Sequence, residues 1–254
     1  MIMEKVRAAA EPYLSGRSVR DLVVGVSLIG CQLDNGDVGV SYVLRDGLPQ
    51  GCSAFPHAQE VIGRSASEIA DWISFGGDNI QRGIASTVLA AASCRQDIPD
   101  DTKTGMPFGV SLQPEDTVGM IGLIAPVAKQ MTNLVKELIV FDQGVSLHSG
   151  NVIVHPMEEQ PKLLPACDIV VLSGTTTING SIDGLLEMCG NAREIIMVGA
   201  STPMFPKGWQ GSHVTRLAGS WWVNEQKDEI FKAISLACGI RYLQKYMLKK
   251  VAVV

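Results

Sequence analysis

The stretch VVLSGTTTINGSIDGLLEMC, residues 170–189, begins as an unbroken apolar run and ends with Ile178, Ile182, Leu185 and Cys189 spaced as one helical face. A strand that passes directly into a helix is the repeating unit of a parallel sheet. Between them lie Gly174, Thr175, Thr176, Thr177 and Asn179. That is more polar capacity than a turn requires, because N-capping uses one such side chain and is worth roughly 1 kcal/mol. A helix starting between Thr175 and Asn179 would gather these groups at its N-terminus. Free N–H groups and the positive end of the dipole favour an anion or polar ligand there.

The same alternation continues on both sides of the stretch. TVGMIGLI is followed by the helical PVAKQMTNLV, then ELIVFDQ, the short helical PKLLPAC, the stretch itself, REIIMVGAST, HVTRLAGSWWV and a final helix read over EQKDEIFKAISLACGIRYLQKYM. Apolar strands alternating with helices predict a doubly wound parallel sheet over residues 101–254. Residues 1–100 read differently. A helix, IMEKVRAAAEPYL, precedes two strands, DLVVGVSLIGCQL and GDVGVSYVLR, joined through the hairpin signal DNGD. Two helices follow, SASEIADWISF and DNIQRGIASTVLAAASC, with Asp78 and Gln81 placed as a capping box. This is an α+β unit, and the Pro-, Gly- and Asp-rich residues 95–116 hold the boundary.

Ligands of open parallel sheets bind beyond the carboxyl ends of the strands, where the strand order reverses. Each predicted strand end offers small, hydroxyl or acidic residues. Gly119 and Gly122 allow close backbone approach after the first strand, a partial match to G-x-G-x-x-G/A with Met120 in place of the first glycine. Asp142 ends the second strand about 20 residues on, where an acidic side chain can accept from ribose hydroxyls. Ser173, Gly174 and Thr175 to Thr177 end the third, and Ser201 and Thr202 the fourth. Capping, turn formation and close packing are the bland alternatives at each position. In the first unit, His57 and Glu60 are the candidate acid–base groups, with Arg45 and Asp46 nearby. PKGWQGSH, with Gly208 and Gly211 flanking an aromatic, reads as a lid or a plain surface loop.

A net charge of −5 and pI near 5.4 argue against a nucleic-acid surface. The basic cluster RYLQKYMLKK is explained as a charged helix end. The N-terminus lacks the apolar core and cleavage site of a secretory signal, and no apolar run approaches the roughly 18 residues of a membrane span. A soluble cytoplasmic protein is therefore expected, with a homo-oligomer left open. The six cysteines form no C-x-x-C pair, and the four histidines are scattered. His148 and His155, with Cys167, make a metal-binding alternative against hydrogen-bonding or surface histidines as the plain one.

At GMIGLIAP, LSGTTTINGSIDGLL and VGASTPMFP, and in the order of strands between them, the chain resembles the heavy-metal chelation family, a domain of unknown function. The resemblance spans roughly residue 116 to the end. It implies a Rossmann-like domain preceded by an enolase N-terminal-like domain, with a cleft between them. The family's link to heavy metals implies a pathway more than a ligand set, and no cysteine-rich chelating motif is present here. The expected function is small-molecule binding, with condensation or hydrolysis chemistry in the metabolism of a chelator such as a siderophore, pterin or tetrapyrrole. Asn179 would join His57 or Glu60 in catalysis. Alternatives are a methyltransferase-like protein binding S-adenosylmethionine through Gly122 and Asp142, or a non-catalytic protein that binds or delivers a heavy-metal ion.

Overall fold

The computed structural model describes residues 1–46, 55, 58–101, 107–143 and 153–254. Helix α1 (Ile2–Leu14) turns Ile2, Met3, Val6, Ala10 and Leu14 inward at helical spacing. Strands β1 (Val19–Val24), β2 (Leu28–Leu33) and β3 (Val38–Tyr42) form an antiparallel sheet in that order. The segment read as one strand, DLVVGVSLIGCQL, is thus two. Gly25 N–H donates to the Leu28 carbonyl at 2.9 Å and closes the turn between them. The β-branched residues around Gly25 hid that turn. The Asn35–Gly36 turn between β2 and β3 is present as expected, with Gly36 at φ +92°. Helices α2 (Ala58–Val61), α3 (Ala66–Phe75) and α4 (Asn79–Ser93) follow. Asp78 caps α4 by accepting from Gln81 N–H at 2.8 Å, whereas the Gln81 side chain accepts from Gly77 N–H, one residue before the capping-box position.

Among the described residues a second sheet has seven strands in the order β10-β9-β8-β7-β4-β5-β6. They are β4 (Thr117–Ile121), β5 (Glu137–Phe141), β6 (Val154–His155), β7 (Ile169–Ser173), β8 (Glu194–Val198), β9 (Arg216–Trp222) and β10 (Met247–Val253). The neighbours from β9 through β6 run parallel, and β10 pairs antiparallel with β9. Helix α5 (Ala125–Met131) lies between β4 and β5, α6 (Gln160–Leu163) between β6 and β7, α7 (Ile182–Met188) between β7 and β8, α8 (Pro206–Trp209) between β8 and β9, and α9 (Lys227–Ser235) and α10 (Ile240–Leu243) between β9 and β10. The protein is mixed α/β, with a parallel-rich sheet and a separate antiparallel one.

Alternation along each strand divides the large sheet's two faces. Phe141, Val170, Leu172, Ile195 and Met197 face the core that also holds α1, α3 and α4. Met120, Val140, Val171, Ile196 and Ala218 face a second core on which α5 packs. Burial on both faces explains why these strands read as continuous apolar runs.

Three further sequence expectations are corrected. The C-terminal segment is not one helix: α9 ends at Ser235, Ala237 takes φ +59°, and the chain returns as edge strand β10. The helix after β7 begins at Ile182, not between Thr175 and Asn179, because Gly174–Thr177 forms a 3-10 turn and Gly180 takes φ +75°. The proposed lid is anchored. Trp209 is fully buried and its indole N–H donates to the Pro203 carbonyl at 3.0 Å, while Gly208 lies so close to α1 that a Cβ would stand 2.5 Å from Val6 Cα.

Candidate functional site

The order of the large sheet reverses between β4 and β7, since the chain leaves β4 toward β5 and leaves β7 toward β8. Beyond these strand ends opens a cavity of about 1170 Å³. Its floor includes Gly122, Leu123, Asp142, Ser173, Thr175, Thr176 and Asn179, and residues 42–46, from the last residue of β3 onward, supply a wall from the antiparallel unit.

Gly122 takes φ +81°, and its N–H donates to the Phe141 carbonyl at 2.8 Å. A Cβ there would meet Ser173 Cβ at 3.0 Å, so the absence of a side chain lets the β4 and β7 ends lie together. Asp142 accepts the Leu123 N–H at 2.6 Å, so this carboxylate shapes the loop after β4. The hydroxyls after β7 are largely occupied within the turn. Ser173 Oγ and Thr175 Oγ1 lie 2.8 Å apart, while Thr176 and Thr177 donate to the carbonyls of Ser173 and Gly174 at 2.8 Å each. Local side-chain bonds of this kind compete with helix formation, which accounts for the late start of α7. Asn179 Oδ1 accepts from Ser181 N–H and Oγ–H at 3.0 and 2.7 Å. Its amide nitrogen has no partner among the described residues, and the residue is exposed. Arg82 of α4 holds the turn from behind, donating from Nε to the Ile178 carbonyl at 2.5 Å.

The structure does not bring every predicted residue to the cavity. Gly119 lies mid-strand, where a Cβ would be 3.0 Å from Cys167 Sγ and Leu164 Cδ2. Gly174 is packed against the turn after β8, where a Cβ would be 2.5 Å from Thr202 N. Thr177, Ser201 and Thr202 are buried outside the cavity wall, and Ser201 Oγ accepts from Tyr42 N–H at 2.9 Å. Glu60 is an exposed residue of α2 and is not part of the cavity lining. His57 and His148 lie outside the described residues.

Residues that the sequence did not single out complete the cavity. Phe108, in the left-handed region at φ +56°, forms part of the wall. An aromatic residue rarely adopts that conformation, at a cost of about 1–2 kcal/mol. Ser220 of β9 and Lys249 of β10 also line it. Ser220 lies in HVTRLAGSWWV and is not singled out there, and Lys249 reads as part of the charged helix end RYLQKYMLKK.

Metal ligation finds little support in the described residues, where no three His, Cys, Asp or Glu side chains converge. His155 Nδ1 is 2.9 Å from Glu159 Oε2. Burial pushes the Cys94 and Cys189 thiols up to about 12 and Cys167 to about 11, and raises Cys31 further. Without a metal these four cysteines are therefore held as neutral thiols.

A family model described as "Putative heavy-metal chelation" matches residues 106–253, and a second model with the same description matches residues 7–93. The chain belongs to this heavy-metal chelation family. A member of the chelation family from Desulfitobacterium hafniense, of unknown function, has a similar structure, with TM-score 0.81, 17% identity and coverage of 100% of this chain and 98% of that one. Another, from Pyrococcus horikoshii and also of unknown function, gives TM-score 0.80 and 18% identity over the full length of both chains. At these identities the likeness shows the shared fold. An uncharacterized protein of Methanocaldococcus jannaschii is 29% identical over 115 residues, 45% of this chain and 44% of that relative's length. No helix among the described residues of this chelation-family chain is long and apolar enough to cross a membrane.

Proposed function

We propose that the protein binds a polar organic molecule in the cavity between an enolase N-terminal-like unit, residues 1–100, and a Rossmann-like unit, residues 101–254. In this reading it acts by condensation or hydrolysis in the metabolism of a heavy-metal chelator. The carrying observation is the cavity's position beyond the β4 and β7 ends, with a wall from residues 42–46. The strand order β6-β5-β4-β7-β8-β9 supports the Rossmann-like reading, since it has the 3-2-1-4-5-6 sequence of dinucleotide-binding sheets. The two family matches, one on each side of residues 94–105, support the division into units. Asn179 orients the ligand through its unengaged amide nitrogen, and Ser173, Thr175 and Thr176 present a polar wall. Gly122 permits close approach. The family description enters through the ligand, an organic chelator or its precursor, because the described residues offer no thiolate or histidine cage.

A thermal-shift screen of pterins, tetrapyrrole precursors and siderophore fragments tests this reading. A ligand at 100 times its Kd stabilises by about 2.7 kcal/mol. A compound that raises the melting temperature of the native chain and loses most of that effect in Asn179→Ala is the expected result. Full retention in the variant would remove Asn179 from the site. A second reading, S-adenosylmethionine, draws on Gly122 and Asp142 at adjacent strand ends. No shift with millimolar S-adenosylmethionine or its demethylated product sinks it.

A further inference from the structure

The cavity extends from the strand-end crevice along the second face of β8, β9 and β10. Val198, Ala218, Val251 and Phe108 line this arm, and all four pack with the core on that face. Two polar side chains interrupt the apolar lining. Ser220 follows Ala218 by two residues on β9, and Lys249 precedes Val251 by two on β10, so both point to the cavity side. They are direct cross-strand partners, which places their Cβ atoms about 4.5–5.5 Å apart.

Ser220 is buried and Lys249 exposed, and neither side chain is engaged by another among the described residues. Ser220 is 7% exposed, and its hydroxyl makes no hydrogen bond among the described residues. The hydroxyl is therefore free to bond a molecule that enters the cavity. Lys249 Nζ has no carboxylate within 4.0 Å among the described residues, although Asp101, Asp46 and Asp142 line the same cavity. Its neighbour differs. Lys250 is engaged by Asp100 at 2.7 Å and the Ile98 carbonyl at 3.0 Å, and lies 4.0 Å from the Trp221 ring centroid.

We infer that Ser220 and Lys249 form an oxyanion-binding subsite at the end of the apolar arm. This inference rests on the cavity being a ligand site and specifies its ligand. The molecule is elongated, with a polar end at Asn179, an apolar middle along Ala218 and Val251, and a carboxylate, sulfonate or phosphate on Lys249. The ammonium supplies the charge and the serine hydroxyl donates one hydrogen bond.

Two fluorescent probes separate the subsite from the cavity. Anilinonaphthalene sulfonate carries an apolar ring system and an anion, and phenylnaphthylamine carries the rings alone. The sulfonate is expected to bind at one equivalent, tenfold or more weaker in Lys249→Met and a few-fold weaker in Ser220→Ala. Lys249→Arg should recover most of the affinity, and phenylnaphthylamine should bind all four proteins alike. Lys232→Met, on the exposed side of α9, controls for general surface charge, and matched melting temperatures confirm that the variants fold. Equal sulfonate binding by the native chain and Lys249→Met, with phenylnaphthylamine bound, would overturn the subsite and leave the cavity reading intact. Failure of both probes to bind the native chain would overturn the cavity as well.

Discussion

At the scale of single residues, polar groups in this chain are more often fastened to the protein than presented to a ligand. Asp116 shows the strongest case. The residue is 4% exposed, and its carboxylate accepts from both Arg193 terminal nitrogens at 2.7 Å and takes the Gln113 N–H at 2.7 Å. The bond from Arg193 holds its pKa below the ordinary carboxylate value, against the opposing effect of burial. A depressed folded-state pKa gives stabilisation that is complete above the unfolded-state value, about 3.9, and is lost as pH falls through the folded-state value. Asp116→Asn should therefore cost about 1.5–3 kcal/mol at pH 7. The gap between the variant and the native chain in urea unfolding should close as pH is lowered from 5 to 2, and a gap that is constant over that range would refute the assignment. Gly122→Ala joins a left-handed backbone to a 3.0 Å contact with Ser173 Cβ, so a loss of about 1–3 kcal/mol and weakened ligand binding are expected together.

At the scale of elements, Ala237 marks where the sequence misled. It adopts φ +59° just beyond α9, and its N–H donates to the Ile234 carbonyl at 3.0 Å. Glycine is the usual residue at such a position, because a Cβ opposes the left-handed conformation. Ala237→Gly should therefore raise stability by up to about 1 kcal/mol in thermal unfolding, and a loss would show that the neighbouring packing needs the methyl group. With an alanine at the stop, the helical pattern appeared to run on, and the MLKK that closes RYLQKYMLKK looked like a basic helix end. It is an edge strand, and lysines are usual there because charge discourages pairing with foreign strands. The residues 99–101 cover part of that edge, since Val251 N–H donates to Pro99 and Asp101 N–H to Lys249. By contrast β4, β5, β7 and β8 were legible, because burial on both faces leaves long aliphatic runs. The TTT turn was legible as polar capacity, but composition cannot show that Thr176 and Thr177 spend their hydroxyls on carbonyls three residues back. The cavity's strand-end floor was accordingly foreseen, whereas its arm along β9 and β10 was not.

At the scale of the molecule, the two halves share one core. Leu14, Ile69 and Leu89 from the first hundred residues belong to the same cluster as Phe141, Leu172 and Trp209. Hydrogen bonds reinforce this contact: Ile2 N–H to Asp183 at 2.8 Å, Val38 N–H to Asn224 at 2.9 Å, and Arg82 to the Ile178 carbonyl. The cavity needs both halves, because residues 42–46 and the β4 and β7 ends face one another across it. Units joined this extensively should not open separately. Urea transitions followed by tryptophan fluorescence, where three of the four tryptophans lie beyond residue 200, should coincide with those followed by far-ultraviolet circular dichroism. Native-state hydrogen exchange should give α4 and β7 amides the same opening free energy. Gly208→Ala supplies the decisive perturbation, since a Cβ there stands 2.5 Å from Val6 Cα at the contact between α8 and α1. Overpacking of about 1–3 kcal/mol should lower the protection of α4 and β7 equally. If only one of them lost protection, the halves would be independent folding units, and the cavity would open and close with the hinge between them.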